Sequence, residues 1–362
     1  MPSHLDLTLQ TYTRLQKLFG YKILTFVCNR LLSFENIFIT DYQVIEKITY
    51  FRNISIIFLF QNLENGNRMK LAIHNWMRAE SLEDTMARIS AMGYTHLELQ
   101  GTPENYDTKE VKILLDKYQL QCWGSVTLML EERNMLAKDP AQRQLSVQYV
   151  LDVAKMVKEL GGKVISLVPA TVGKIVPDAR PEEEWEWAVE GVKEVYKYTE
   201  ANGLKIGIEP INRFETYFIN RGAQALALAE AVGPNCGVCL DTFHMNLEEA
   251  DMFATMKKVG DRLINFHVAD NNRMAPGMGH LDWKRIMETL TEIGYDDVLS
   301  VEFCPPIDRT PANQYPNSID TAPVGLSDEQ LKFLQDHGSS AMTEEFYSML
   351  TKKSVDTLNP FL

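Results

Sequence analysis

The chain has 362 residues and a mass of 41.4 kDa, with 45% hydrophobic and 23% charged residues. This composition is typical of a globular protein and excludes collagen-like, low-complexity and wholly disordered chains. The formal charge of −13 argues against a nucleic acid partner, because binding to a phosphate backbone is favoured by positive charge.

Residues 1–68 differ from the rest of the chain. They hold no alanine and eleven Phe or Tyr, and their formal charge is +2 against −15 for residues 69–362. Their apolar run Ile54–Phe60 is too short for a membrane span of ~20 residues, and no secretory signal pattern opens the chain. We interpret this atypical N-terminal extension as an over-extended start with little folded role, translation beginning at Met69. The alternative is an added module or a partner-binding arm.

From Met69 onward, short β-rich runs alternate with amphipathic helical patterns. The predicted strands are Lys70–Trp76, His96–Gly101, Gln119–Thr127, Lys163–Ala170, Lys205–Ile211, Cys236–Asp241, Ile264–Asp270 and Leu299–Cys304. Ser81 is a predicted helix N-cap. Left-handed glycines are expected to end six helices, at Gly93, Gly161, Gly203, Gly233, Gly260 and Gly294. Eight strand–helix units in 294 residues predict an α/β fold: one (β/α)₈ TIM-barrel domain over residues 69–362.

The last unit has a long loop, residues 305–342, before a predicted final helix over Thr343–Leu358. Loops of this length in compact domains are usually lids or contact surfaces, although a decorated loop without either role is an equal alternative.

The tryptophan-bearing helix predicted over Pro181–Gly203 gives weak support for a homo-oligomer. Five scattered cysteines favour a reducing compartment, so we expect a cytoplasmic protein without a membrane partner. Cys236 and Cys239 are interpreted as strand residues.

Four successive predicted strands end in an ionisable residue. These residues are Glu209, Asp241, His267 and Glu302, spaced 32, 26 and 35 positions apart. Catalytic groups of (β/α)₈ barrels lie at the carboxyl ends of the strands, so we expect the four side chains to meet. Three carboxylates and one imidazole suit Mn²⁺, Co²⁺ or Mg²⁺ better than a structural zinc site. Each residue alone could be a satisfied core group. His74 and Glu98, at the first two strand ends, are candidates to extend the pocket.

The segments around these strand ends resemble a known family. They are Ile208–Tyr217 with N-R-F-E, Leu240–Asn246 with L-D-T-F-H-M-N, His267–Arg273, Pro276–Trp283 and Val301-Glu302. They are similar to the ketose 3-epimerases (D-tagatose and D-psicose 3-epimerases). More broadly, they resemble the sugar phosphate isomerase/epimerase superfamily of xylose-isomerase-like barrels. The resemblance covers Met69 to about Cys304.

This resemblance implies a role for each matching residue. The metal ligands would be Glu209, Asp241, His267 and Glu302. Glu209 and Glu302 would also be the catalytic acid/base pair. Substrate oxygens would be held by Glu215, His244 and Arg273, with a looser match at Trp76 and Glu98. The implied cofactor is a divalent metal, Mn²⁺ first, with Co²⁺ or Mg²⁺ as alternatives. No other cofactor is implied.

The implied reaction removes the proton next to a ketose carbonyl and gives a metal-stabilised enediolate. Return of a proton to the opposite face of the same carbon gives the C3 epimer, whereas its return to the neighbouring carbon gives an aldose–ketose isomer. Loss of a leaving group β to the acidified carbon gives elimination instead. The segment Cys304–Pro311 and the run Ala269–Asn272 depart from the epimerase pattern. They look like the α-subunits of C-glycoside deglycosidases, lyases that cleave 3-oxo-glycosides and require a small β-subunit.

Two further classes remain as alternatives. Endonuclease-IV-like repair enzymes share the barrel but need a three-metal cluster with more histidines, and the charge of −15 opposes a duplex ligand. A non-catalytic scaffold subunit would have no need of four metal-binding residues. We therefore expect a metal-dependent isomerase or epimerase acting on a small sugar or sugar conjugate.

Overall fold

The computed structural model describes residues 69–306, 308, 310–319, 328, 331 and 342–362. The interpretation of residues 1–68, and of much of the 305–342 loop as a lid or a contact surface, therefore lies outside the described residues.

Eight parallel strands form one sheet in the order β1-β8-β7-β6-β5-β4-β3-β2. The strands are Lys70–Ile73 (β1), His96–Gly101 (β2), Gln121–Thr127 (β3), Val164–Leu167 (β4), Lys205–Ile208 (β5), Cys236–Asp241 (β6), Leu263–Val268 (β7) and Val298–Val301 (β8). The predicted (β/α)₈ barrel is confirmed. All eight predicted strands occur, several of them shorter at the carboxyl end.

The helices follow the strands as predicted. They are Leu82–Ala91 (α1), Thr108–Tyr118 (α2), Pro140–Glu159 (α3), Pro181–Ala201 (α4), Gly222–Val232 (α5), Thr242–Glu248 (α6), Met252–Val259 (α7), Trp283–Glu292 (α8) and Glu344–Leu358 (α9). Ser81 caps α1, because its side chain accepts a hydrogen bond from the backbone N–H of Asp84 at 3.1 Å. Thr343 caps α9 in the same way.

The barrel closes between its first and last strands. β1 pairs with β8 over four residues, whereas β1 and β2 join through the single bridge between His74 and Glu98. The β2–β3 ladder shifts its register between Leu97 and Glu98. Apolar side chains fill the space between strands and helices, and Cys236 and Cys239 are buried in β6, as predicted. None of the helices in the described ranges combines the length and hydropathy of a membrane span.

Glycine ends most of the helices for the expected reason. Five of the six predicted positions have φ between 53° and 90°, a range that side chains rarely adopt. The prediction was wrong for Gly233, whose φ of 169° is ordinary extended backbone. A Cβ atom at Gly233 would lie 2.6 Å from the Tyr196 ring. Close packing against α4, and not left-handed geometry, therefore requires this glycine.

Candidate metal centre and substrate cavity

Four acidic or imidazole side chains meet at the carboxyl end of the barrel. One ligand atom from each of Glu209, Asp241, His267 and Glu302 lies within 4.8 Å of the others, and all four residues are buried. Asp241 and His267 are paired residues in the β6–β7 ladder, while Glu209 and Glu302 directly follow β5 and β8. Parallel strands carry their ends to the same rim, so the structure brings these predicted residues together.

His267 lies at the centre of the cluster. Its Nδ1 atom is 3.1 Å from an oxygen of Glu209 and 3.1 Å from an oxygen of Glu302, and its Nε2 atom faces Glu98. Burial disfavours a charged imidazole, but the acidic groups of Cys239, Glu209 and Glu98 outweigh burial and hold the pKa of His267 well above its usual range. Without a bound cation, the positive charge of protonated His267 therefore offsets part of the negative charge of the neighbouring carboxylates.

The three carboxylates of the cluster differ in their pKa values. Burial raises the pKa of Asp241 to about 6 and also raises the pKa of Glu209, and neighbouring carboxylates add to both shifts. Burial acts in the same direction on Glu302, but attraction by His74 and His267 outweighs it and the pKa of Glu302 falls well below its usual range. The cluster therefore favours the binding of positive charge.

These side chains fit a divalent cation. The Oδ2 atom of Asp241 is buried and has no hydrogen-bond partner among the residues described. A buried acceptor without a partner is costly, and a cation between the four side chains would remove that cost. Three carboxylates and one imidazole are hard and borderline ligands, which suit Mn²⁺, Co²⁺ or Mg²⁺.

A small open cavity lies beside the cluster. It is lined by the predicted residues Trp76, Glu209, Glu215, His244, Arg273 and Glu302, and by the apolar side chains Val126, Leu128, Val168, Val172 and Ile211. An apolar wall with a few polar groups is typical of small-molecule sites. The apolar wall was missed from the sequence, because each of its residues reads as ordinary barrel core.

His244 and Arg273 form the polar side of the cavity. A donor faces each ring nitrogen of His244: the backbone N–H of Asn212 lies 3.1 Å from Nδ1, and the guanidinium of Arg273 faces Nε2. Arg273 Nη1 lies 3.2 Å from that Nε2 atom and 3.5 Å from a Glu215 oxygen. The guanidinium carbon of Arg273 lies 4.7 Å from the centroid of the Phe243 ring. These contacts fix donors and an acceptor at the edge of the cluster.

Arg273 is held in an uncommon backbone conformation. Its φ is 57°, and its backbone N–H and C=O are bonded to Asp270 and Cys304 at 2.8 and 2.7 Å. The Asp270 carboxylate accepts hydrogen bonds from three backbone N–H groups and from the Trp283 indole. Asp270 therefore organises the loop that carries Arg273.

Glu98 and His74 do not line the cavity. Both are fully buried, and Glu98 lies inside the barrel, 3.3 Å from the Nε2 atom of His267. The ring of His74 packs edge-on against the His267 ring, with centroids 4.7 Å apart. The structure therefore brings Trp76 to the cavity with the other predicted substrate residues, but leaves Glu98 behind the metal-binding cluster.

Comparison of the chain with known proteins finds a matching family model and related sequences. A model of the xylose isomerase-like TIM barrel matches residues 86–336, more than half of the chain. The D-psicose 3-epimerase of Ruminiclostridium cellulolyticum is 30% identical over 227 residues, which cover 59% of this chain and 75% of that protein. An L-ribulose 3-epimerase of Methylomonas sp. is 27% identical over 245 residues, 67% of this chain and 85% of that protein.

Solved structures show the same fold. The D-psicose 3-epimerase of Clostridium cellulolyticum H10, solved with D-tagatose, aligns with a TM-score of 0.67 and 24% identity. That alignment covers 81% of this chain and 99% of the other. A 3-keto-D-glucoside 4-epimerase of E. coli aligns with a TM-score of 0.61 and 21% identity, covering 74% of this chain and all of the other.

Proposed function

We propose that this chain, which belongs to the xylose isomerase-like TIM-barrel family, is a divalent-metal-dependent ketose 3-epimerase or a closely related sugar isomerase. The observation that carries the proposal is the buried cluster of Glu209, Asp241, His267 and Glu302, within 4.8 Å of one another at the rim of the barrel. The relatives named above, which are ketose 3-epimerases, support the same reaction class.

The four cluster residues would hold the metal, Mn²⁺ by preference and Co²⁺ or Mg²⁺ as alternatives. Such an ion would act as a Lewis acid on the carbonyl oxygen and the neighbouring hydroxyl of a ketose, and so acidify the adjacent C–H. The resemblance to the ketose 3-epimerases assigns the proton transfers to Glu209 and Glu302.

Glu209 and Glu302 are proposed as the acid/base pair. One carboxylate removes the proton from C3, which leaves an enediolate, and the other returns a proton to the opposite face of the same carbon. Since epimerisation is reversible, each glutamate is the base in one direction and the acid in the other. The two carboxylates follow different strands, β5 and β8, and each lies 3.1 Å from Nδ1 of His267.

The polar side of the cavity would orient the sugar. His244 would offer its imidazole, Arg273 its guanidinium, and Glu215 a carboxylate oxygen, to the hydroxyls next to the reacting carbon. Trp76 and the apolar wall would exclude water from the enediolate, which strengthens each of these hydrogen bonds. Arg273 is already engaged with Glu215, so a substrate without a phosphate group is favoured.

Substitution of the two glutamates tests the proposal. In the full-length protein with Mn²⁺, E209Q and E302Q should each abolish conversion of a ketohexose to its C3 epimer. The matched control is E184Q, at a buried glutamate that bonds to the backbone of residues 178 and 179 outside the cluster, and it should keep most of its activity. Metal content is measured for each variant. Full activity in either E209Q or E302Q would remove the acid/base assignment.

Metal analysis separates this proposal from a scaffold role. A scaffold subunit should copurify with no stoichiometric divalent ion, whereas the proposed enzyme should bind one ion per chain and lose activity on chelation.

The proposal includes a cytoplasmic location, supported by the scattered cysteines, and a homo-oligomer, supported by the aromatic helix α4. A small β-subunit belongs only to the elimination alternative, and none of the relatives named above is a deglycosidase.

A further inference from the structure

We propose that Glu98 is a positioning residue, which holds the His267 imidazole in the tautomer that binds a metal ion through Nδ1. This inference rests on the proposed metal centre and assigns to Glu98 a role other than the substrate contact expected from the sequence. Glu98 is fully buried inside the barrel and is absent from the cavity lining, so it acts on the reaction through its neighbours, of which His267 is the nearest member of the cluster.

The two ring nitrogens of His267 face different surroundings. Nδ1 points to Glu209 and Glu302, the other members of the cluster, at 3.1 Å from each. Nε2 points into the barrel, where an oxygen of Glu98 lies at 3.3 Å. An imidazole nitrogen binds a metal through its lone pair, so binding through Nδ1 requires the proton to lie on Nε2. A carboxylate facing Nε2 favours that arrangement.

The neighbouring amide cannot accept this proton. The Oδ1 atom of Asn265 accepts from the Trp123 indole and from the backbone N–H of Phe266, both at 2.9 Å. Because an indole N–H is only a donor, the orientation of the amide is fixed and its NH₂ group lies 3.0 Å from His267 Nε2. The two protons of this NH₂ group have other acceptors, a Glu98 oxygen at 3.0 Å and Ser166 Oγ at 2.9 Å, so Nε2 can keep its own proton. Within the described part of the chain, Glu98 is therefore the one carboxylate near Nε2.

Glu98 is itself held in place by neutral donors. Ser300 donates to one carboxylate oxygen at 2.6 Å and Ser166 to the other at 3.0 Å, and the Asn265 amide lies 3.0 Å from both. A fully buried carboxylate with this many donors is satisfied in its charged form. Its position does not depend on a bound ion, so the acceptor for His267 is formed before the metal arrives.

The test compares E98Q with S300A in the full-length protein. E98Q keeps the shape of the side chain but removes the charge that favours a proton on Nε2, and it should weaken Mn²⁺ binding by about 10- to 100-fold. S300A removes one hydrogen bond from the same carboxylate and leaves the acceptor for His267, so its Mn²⁺ dissociation constant should change less than about threefold. Titration calorimetry measures both constants, and thermal unfolding checks that each variant is folded.

A spectroscopic readout reports the tautomer without using turnover. In Mg²⁺-loaded protein with ¹⁵N-labelled histidine, the His267 ring should carry its proton on Nε2. The ¹H resonance of this proton should lie downfield and should move upfield in E98Q. A proton on Nδ1 in the loaded wild type would overturn the inference even if E98Q did not fold.

The outcomes separate this inference from the proposed function. A wild type that binds Mn²⁺ and epimerises a ketose, with E98Q binding equally tightly, would overturn the role of Glu98 alone. A wild type without stoichiometric binding would overturn the metal centre and this inference together.

Discussion

The carboxylate of Asp241 accepts a hydrogen bond from the backbone N–H of His244 at 2.9 Å and so caps the helix that carries this histidine. Its second oxygen, Oδ2, is buried without a hydrogen-bond partner among the residues described, and Asp241 belongs to the candidate metal-binding cluster. One side chain therefore joins the two halves of the site. A change at Asp241 acts on the helix cap and on the cluster, and suitable variants separate the two effects.

Replacing Asp241 by Asn or Ala should separate capping from metal binding. Asn is as good an N-cap as Asp, so metal-free D241N should unfold with at least the wild-type free energy at pH 8, where it also removes a buried negative charge. D241A should lose about 1 kcal/mol of that free energy with the cap. Both variants should bind Mn²⁺ at least tenfold more weakly. Equal destabilisation of D241N and D241A, measured by urea unfolding, would contradict the capping role.

Arg273 should act on substrate binding and not on metal binding. Lys keeps the positive charge at this position but cannot reach Glu215 and stack on Phe243 with a planar group. We expect R273K to raise the KM for a ketose about tenfold and to leave the Mn²⁺ dissociation constant unchanged. The control is R285K, because Arg285 stacks on Phe253 on the outer helices, 3.8 Å from its centroid. An unchanged KM in R273K would show that the guanidinium does not hold the sugar.

His96 should make the protein less stable in acid. Burial, and to a smaller extent Lys70 and Lys163, lower the pKa of His96 to about 4. As the pH falls from about 6.5 to 4, the unfolded chain therefore binds a proton that the folded chain does not. This difference costs the folded state about 2–3 kcal/mol at pH 4.5.

H96Q should remove the destabilisation that His96 causes in acid. Between pH 7.5 and pH 4.5 its free energy of unfolding should fall by about 2 kcal/mol less than that of the wild type, as measured by urea unfolding at the two pH values. H280Q, at an exposed histidine, should follow the wild type. Parallel pH dependence of H96Q and the wild type would exclude His96 as the source.

G233A and G294A should both destabilise the folded protein, but for different reasons. G233A places a methyl group 2.6 Å from the Tyr196 ring and should destabilise the protein by about 1–3 kcal/mol, through overpacking. G294A meets no atom within 4 Å, and its cost of about 1 kcal/mol comes from its φ of 78°. A Y196A background should relieve G233A and leave G294A unchanged. Equal effects in both backgrounds would contradict the packing explanation.

The sequence was sufficient to predict the barrel and the convergence of the cluster. Both follow from one periodic rule: apolar strands in parallel order carry their last residues to the same rim, so Glu209, Asp241, His267 and Glu302 had to lie close together. His244 and Glu215 follow strand ends closely and reach the same cavity. Their individual contacts could not be predicted, because they depend on the conformation of loops.

The position of Glu98 was harder to predict. Every residue of β2 is buried, and the β2–β3 ladder shifts its register at Leu97, so position along the strand does not give depth in the barrel. A weaker signal was available. Ser300 and Asn265 are polar residues two positions before Glu302 and His267 in apolar strands, and alternation directs each pair to the same interior face. Polar interior residues below a ligand predict a network that supports it.

Deuterium wash-in at C3 tests the central claim most directly. The full-length protein, loaded with Mn²⁺, is incubated with a panel of free ketohexoses in D₂O, and NMR follows the loss of C3–H and the growth of new sugar signals. The account predicts deuterium at C3 together with the C3 epimer of at least one sugar. No exchange across the panel, from protein that holds stoichiometric Mn²⁺, would contradict it and would favour elimination from a 3-oxo-glycoside with a partner subunit.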